Sequence, residues 1–219
     1  MKQDLTHISV YSLIVEDGTK LKKLLETGKL EPIDDEIERY MYWHVKRRLE
    51  QNGYMHYEIS NFAKPGYQCK HNLDCWSQKE YLGFGVNASS FENSTRFSNT
   101  ESMATYMKNI SIGDIFKNIK VEEKMNEQDL MNEYMILGLR KIKGININEF
   151  RQKFQKSLLN VYRDKLMKLL KEDLITIDIN DVKLSKKRTR PCKYSMGRIH
   201  IERNNYGKST FNWWKFNNE

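Results

Sequence analysis

Residues 7–15, HISVYSLIV, form a β-branched apolar run that stops at the turn Glu16-Asp17-Gly18. Such a run suits a strand buried on both faces. The residues after the turn narrow the architecture further. Residues 20–30 carry helical spacing, Pro32 breaks it, and Asp34-Asp35 open a longer helix to about Asn52. Ile37, Tyr40, Met41, His44, Val45 and Leu49 share one face of that helix. Gly53 ends it, residues 54–59 read as a strand, and Pro65-Gly66 turn the chain. Strand, helices, strand is the grammar of an α/β layer.

Residues 67–100 are irregular. Gly83 and Gly85 bracket Phe84 ahead of a strand that runs through Phe91, and residues 96–98 pair back with it. A connecting region covers about 110–125. Asn126 then caps a helix carrying Leu130, Tyr134 and Leu137, and Asn146 with Glu149 three residues later resembles a capping box. A third helix holds Leu159, Tyr162, Leu166 and Leu169, and residues 174–179 and 182–184 form a hairpin. Three short helices and a two-stranded wing make a winged-helix-like arrangement, which serves for nucleic-acid binding or as a packing and covering module.

With 219 residues the chain is long enough to bury a core. Mean hydropathy is −0.76 and 30% of residues are charged, but 39% are hydrophobic, which excludes wholesale disorder. No apolar run reaches the roughly 20 residues needed to span a bilayer, and the start lacks a signal-peptide core. The expected location is cytoplasmic, in keeping with three cysteines (Cys69, Cys75, Cys192) that form no even framework. The net charge of +8 ordinarily points to nucleic acid. Residues 185–219, however, hold nine Lys/Arg against two acidic residues, so the charge sits in the tail and the rest is nearly neutral. No nucleic-acid partner is expected.

The blocks HISVYSLIVEDGT, YEISNFAKPGYQCKHNLDCW and YLGFGVNASSF, with RFSN behind them, resemble in order and spacing the radical-SAM haem chaperones, relatives of oxygen-independent coproporphyrinogen III oxidase. The resemblance covers roughly residues 5–187. It implies an α/β fold in which residues 1–115 are the end of a partial (β/α) barrel with added strands, and residues 120–187 are a winged-helix-like α+β domain. It also implies haem as cargo, delivered to membrane or respiratory haem proteins, with S-adenosyl-L-methionine and a [4Fe–4S] cluster in the full-length parent. The alternative within the family is oxidation of coproporphyrinogen III. A nucleic-acid-binding winged-helix protein is the reading from another class. The family's CxxxCxxC loop is absent from this sequence, so the chain is expected to begin after the fifth barrel strand of a longer parent and to lack cluster ligation of its own. Whether the parent is an enzyme stays open.

The family's His-Asn-x-x-Tyr-Trp segment is associated with haem. Here it stands as His71-Asn72-Leu73-Asp74-Cys75-Trp76, with Cys75 in place of the tyrosine. Imidazole is a common axial ligand of haem iron, so His71 is the candidate metal ligand, with Asn72, Cys75 and Trp76 around it. The alternative is that His71 and Asn72 hydrogen-bond a loop while Trp76 fills the core. Cys69-x-His71-x-x-x-Cys75 lacks the second donor pair that structural zinc wants. For S-adenosylmethionine, the resemblance implies main-chain contacts at residues 12–14, with Ile14 among them, and at Ala88 and Ser89. His44 reads as a packed helix residue, and His7 and His56 as strand residues.

After Lys187 the family pattern ends abruptly. If residues 186–188 are encoded AAA AAA AGG, loss of one A restores a glycine after Lys187, and the shifted frame admits GLDLANIVWEEFI and a stop. Met196 before Gly197 must then read TGG, tryptophan, whatever the other codons are. Residues 188–219 are therefore expected to be an out-of-frame basic tail that makes few long-range contacts. A genuine basic, aromatic-rich tail would bind nucleic acid through phosphate contacts and stacking.

Overall fold

The computed structural model describes residues 4–185. The readings of Cys192 and of the tail at 188–219 lie outside the described residues. Two compact units divide the chain, one made of residues 4–69 with 138–185 and the other of residues 70–137.

In the first unit, β1 (His7–Ser9) is followed by α1 (Lys20–Glu26), α2 (Asp35–Gln51), β2 (Met55–Glu58) and β3 (Asn61–Ala63). Both β1 and β2 pair antiparallel with β3, in the order β1-β3-β2. The two outer strands thus run parallel to each other, joined by the helical crossover, with β3 inserted between them. The strand, helices, strand grammar is present in this split form, and the fold is mixed α/β. Leu49, Tyr54 and Phe62 form the buried cluster, with Ile8, Val10 and Val45 packed against it.

Two expectations for this stretch need correction. The strand expected over residues 7–15 ends at Ser9, and the last backbone bond of its ladder runs from the Val10 N–H to the Ser60 carbonyl at 2.7 Å. Residues 11–15 make no backbone hydrogen bond to another described element, so the apolar run has strand composition without a strand to pair with. The second correction concerns α2. Asp34 caps it, accepting from the N–H groups of Glu36 (2.8 Å) and Ile37 (3.3 Å). Only the C-terminal part of the expected face is covered. Leu49 is buried, but Ile37, Tyr40 and Met41 are 55%, 66% and 45% exposed, and Tyr42 is buried in their stead.

The rest of this unit has a closed core. β7 (Ile145–Asn146), α6 (Ile147–Phe154), α7 (Leu158–Val161), α8 (Arg163–Lys171), β8 (Ile175–Ile177) and β9 (Asp181–Leu184) succeed one another, with strands in the order β7-β9-β8. Asn146 caps α6, its Oδ1 accepting from the N–H groups of Asn148 and Glu149, each at 3.0 Å. The third expected helix is split at Tyr162. Leu158 is fully buried there while Leu159 is exposed, a shift of one residue in the apolar face. Gly144 has φ +81°, and a Cβ on it would lie 2.3 Å from the Val182 carbonyl oxygen, so only glycine lets β9 pass this close.

The second unit contains α3 (Lys70–Trp76), β4 (Ser89–Glu92), β5 (Thr95–Asn99), α4 (Met103–Ser111), β6 (Ile119–Lys124) and the start of α5 (Glu127–Gly138). β4, β5 and β6 form an antiparallel meander. Asn93 and Ser94 have φ of 47° and 60°, which is the two-residue type I′ turn that matches hairpin twist. The expected return of residues 96–98 onto the preceding strand is present, within β5. β6 lies in what reads from sequence as a connecting region, because IKVEEK has too few apolar residues to show a strand period. Asn126 and Asp129 exchange side-chain-to-N–H bonds at the start of α5.

Candidate functional site

The irregular stretch after residue 67 opens as a helix, α3, and its seven residues carry the whole candidate segment. Positions four apart meet on a helix surface. His71 and Cys75 accordingly face each other, with Nε2 and Sγ 3.7 Å apart, His71 exposed and Cys75 partly so. Asn72 and Trp76, half-buried, have the same spacing one position on. The Tyr81 ring meets the His71 ring edge-on, with centroids 6.2 Å apart. Tyr81 is itself fixed by reciprocal backbone bonds with Phe91, both 2.9 Å. Asp74 pairs with Lys79 at 2.6 Å, and both are substantially exposed.

The end of α3 is anchored by buried polar groups. Gln78, with φ 53°, donates from Nε2 to the Leu130 carbonyl (3.0 Å) and to Glu133 Oε2 (3.1 Å). Glu133 Oε1 accepts from Arg96 at 2.9 Å, and Glu123 stands 3.7 Å from the same guanidinium. Burial opposes the charge on Arg96, but Glu133 outweighs it and holds the guanidinium pKa above its ordinary value. The sequence carries no sign of this network, whose members are up to 55 residues apart.

Of the other expected residues, Ala88 is half-buried and Ser89 is exposed on β4, opposite Ser98. Ala88 already spends its main chain internally, its N–H reaching the Gly85 carbonyl (3.4 Å) and its carbonyl accepting from Asn99 (2.9 Å). A Cβ on Gly83 would lie 2.2 Å from the Ser89 carbonyl oxygen, so the glycine is there for close approach. Ile14 belongs to the first unit, in the unpaired segment after β1, and is half-buried. Cys69 is half-buried in that unit too. Among the described residues no group of three or more His, Cys, Asp or Glu stands ready for a metal ion. A four-iron cluster wants four thiolates, or three plus the cofactor. The two described cysteines, Cys69 and Cys75, do not fit it.

Of the other described histidines, His7 and His56 are tied into the fold, whereas His44, expected to be packed, is not. His7 Nε2 lies 2.8 Å from the Tyr57 hydroxyl. His44 is exposed and tilted against Tyr40. His56 stacks on Phe62 (centroids 4.5 Å apart) with Nε2 3.2 Å from both the Tyr42 hydroxyl and the Ile59 carbonyl. Burial lowers the His56 pKa to about 4 and raises that of Tyr42, to which Glu58 adds. Glu58 is fully buried and accepts from the Ser60 N–H (2.7 Å), Asn61 Nδ2 (2.6 Å) and, at 3.3 Å, Arg140. Burial lowers the Arg140 pKa, with Glu58 opposing.

Residues 125–187 match the HemN C-terminal domain family. The chain is 33% identical over 183 residues to the haem chaperone HemW of Lactococcus lactis, covering 84% of this chain and 47% of that protein. It is 38% identical over 172 residues to HemW of Bacillus subtilis, covering 78% and 45%. The chain is HemW-like. A zebrafish (Danio rerio) mitochondrial protein named for its radical S-adenosyl methionine domain is 43% identical over 82 residues, 37% of this chain and 18% of that one. In fold, the HemW-like chain resembles coproporphyrinogen III oxidase (HemN) from Escherichia coli, described as a radical SAM enzyme. That likeness has a TM-score of 0.52 at 15% identity, over 66% of this chain and 36% of the other. The chain spans about half the length of the curated relatives it matches. No helix among the described residues is long and apolar enough to cross a membrane.

Proposed function

We propose that this HemW-like chain binds haem through His71 and takes part in handing it to acceptor haem proteins. One observation carries the reading. His71 stands exposed on a short helix whose end is tied down by the buried Gln78, Glu133 and Arg96, so the imidazole is both reachable and held. Its Nε2, 3.7 Å from Cys75 Sγ, is the atom that would serve as axial ligand. Cys75 occupies the position next to it where the family pattern has tyrosine. The two side chains leave the same face of one helix with Nε2 and Sγ 3.7 Å apart, so Cys75 lies directly beside the imidazole. His71 is the ligand in this reading, and Cys75 flanks it. Asn72 and Trp76 border the same site.

Ile14 is proposed as a main-chain contact for S-adenosylmethionine within the first unit, and Ala88 with Ser89 as one within the second. That cofactor would supply radical chemistry in a full-length protein. Support for this part is the radical-SAM naming of the mitochondrial relative and of the fold neighbour.

Haem titration followed by absorption tests the cargo site. The Soret band of the complex is expected to shift or weaken in His71→Ala and to stay unchanged in His44→Ala. Cys75→Ser is expected to keep binding but move the band. Identical titrations for the parent chain and His71→Ala would end the assignment to α3.

A further inference from the structure

His71 and Cys75 set two donors of different chemistry on one face of α3, with Nε2 and Sγ 3.7 Å apart. The distance itself is informative. Zinc bonds of about 2.3 Å to sulfur and about 2.0–2.1 Å to nitrogen, meeting at a tetrahedral angle, hold the two donors roughly 3.5–3.6 Å apart. The pair thus stands close to the bite of a tetrahedral cation.

Three further observations bear on what such a pair holds. First, the donors are positioned. Tyr81 meets the His71 ring edge-on, with centroids 6.2 Å apart, and Gln78, just past the end of α3, is buried and bonded to Leu130 and Glu133. Second, the donor set is soft. Thiolate and imidazole select zinc-class transition cations, whereas calcium and magnesium want oxygen, and Asp74 on the same helix is already paired with Lys79 at 2.6 Å. Third, no third His, Cys, Asp or Glu joins the pair among the described residues, and His71 is exposed. Four protein ligands make a closed structural site, so two ligands with water in the remaining positions make an open, exchangeable one.

We infer that His71 and Cys75 form a bidentate site for a zinc-class divalent cation. On binding, Nε2 and Sγ each form one bond to the cation, two waters leave it, and the thiol proton passes to solvent. Cys75 stands where the family pattern has tyrosine, so the site belongs to this chain's own sequence. The inference does not rest on haem binding. It touches the proposed cargo site only because a cation on Nε2 withholds that nitrogen from iron.

The test titrates the reduced full chain with Co²⁺, a spectroscopic stand-in for Zn²⁺, and then adds Zn²⁺. One cation per chain is expected, with a sulfur-to-cobalt charge-transfer band in the near ultraviolet that Zn²⁺ abolishes and excess Mg²⁺ leaves in place. Cys75→Ser is expected to remove the band. Both Cys75→Ser and His71→Ala are expected to weaken Zn²⁺ binding at least roughly tenfold, since even indirect support of a ligand is worth that much, and an unchanged circular dichroism spectrum verifies their folding. Cys69→Ser and Cys192→Ser are expected to leave band and affinity unchanged, which separates this pair from the chain's other thiols. A chain that binds Co²⁺ in this way but takes up no haem would sink the cargo reading and uphold the cation site. Absence of the band, a band that survives Cys75→Ser or vanishes in Cys69→Ser, or half a cation per chain with dimer formation would each overturn the inference.

Discussion

Residues 138–185 and residues 5–52 belong to the same compact unit and differ in what they do with their apolar side chains. In the first stretch Ile145, Phe150, Leu158 and Val182 are fully buried, with Leu166, Leu174 and Ile175 nearly so. In the second, Tyr11, Leu13, Ile33, Ile37, Tyr40 and Met41 are all between 45% and 70% exposed, although their spacing is that of a core-facing strand and helix. Both stretches are patterned for burial, and only one closes on itself. The difference lies in connectivity. The helices and hairpin of 138–185 fold back on each other over short loops, whereas β1 and the first turns of α2 present a face whose complement is not in this chain's described residues.

The largest effect expected from this contrast separates two aromatic truncations. Phe150→Ala should cost about 3–5 kcal/mol, because it opens a cavity in a closed core. Tyr40→Ala should change stability by less than about 0.5 kcal/mol, as surface substitutions do. Chemical denaturation of both variants checks this, and similar costs would mean that the α2 face is covered after all.

A second prediction concerns where the two stretches join. Glu58, just after residues 5–52, is held against Arg140 by a pair with 0% and 6% side-chain exposure. Removing one partner of a buried pair strands the other charge, at a cost of about 3–5 kcal/mol. Glu58→Ala should therefore destabilise near the upper end of that range, since Ser60 and Asn61 lose their acceptor too. Replacing both Glu58 and Arg140 with apolar residues should recover part of the loss. A double variant no better than Glu58→Ala would show that the backbone turn, not the charge, is what matters.

How much of the fold is legible in the sequence depends on the range of the interaction. The cap residues Asp34, Asn126 and Asn146, the hairpin return at residues 96–98 and the order strand, helices, strand all arise from local spacing and side-chain chemistry, whereas the insertion of β3 between β1 and β2 is not legible there. So does the placing of His71 with Cys75, once residues 70–76 are known to be helical. Missed were α3 itself, whose seven residues are too few to show a period, and β6, which is polar on both faces. The Glu58–Arg140 and Arg96–Glu133 pairs span 82 and 37 residues, and no local pattern announces which charge meets which. The end of β1 at Ser9 was illegible for a different reason. Strand composition states a preference, but a strand exists only where a neighbour accepts its hydrogen bonds.

The third prediction uses pH. His56 is neutral in the folded chain, with its pKa lowered to about 4, while the unfolded chain takes up a proton near pH 6.5. A group whose folded pKa is depressed in this way destabilises as pH falls, because only the unfolded state binds the proton. Stability should be constant above about pH 6.5 from this source and decline by at most about 3 kcal/mol as pH falls towards 4. Thermal melts of the parent chain and of His56→Phe between pH 7 and 5, where carboxylates contribute little, separate this effect from general acid unfolding. Parallel curves would show that His56 is solvated or already protonated in the fold.

The smallest expected effect lies beyond the closed core. The family match ends at residue 187, the position at which the charge and pattern of the sequence break. If residues 188–219 are read out of frame, they were never selected to complement either the closed stretch or the open one. Deleting them should then shift stability by less than about 0.5 kcal/mol, as removal of unselected terminal residues does, and should leave haem titration unchanged. The coding DNA is expected to carry a homopolymer A run at codons 186–188, with GLDLANIVWEEFI and a stop in the adjacent frame. DNA without that reading, or a deletion that lowers stability by several kcal/mol, would return the basic tail to the functional parts of the chain.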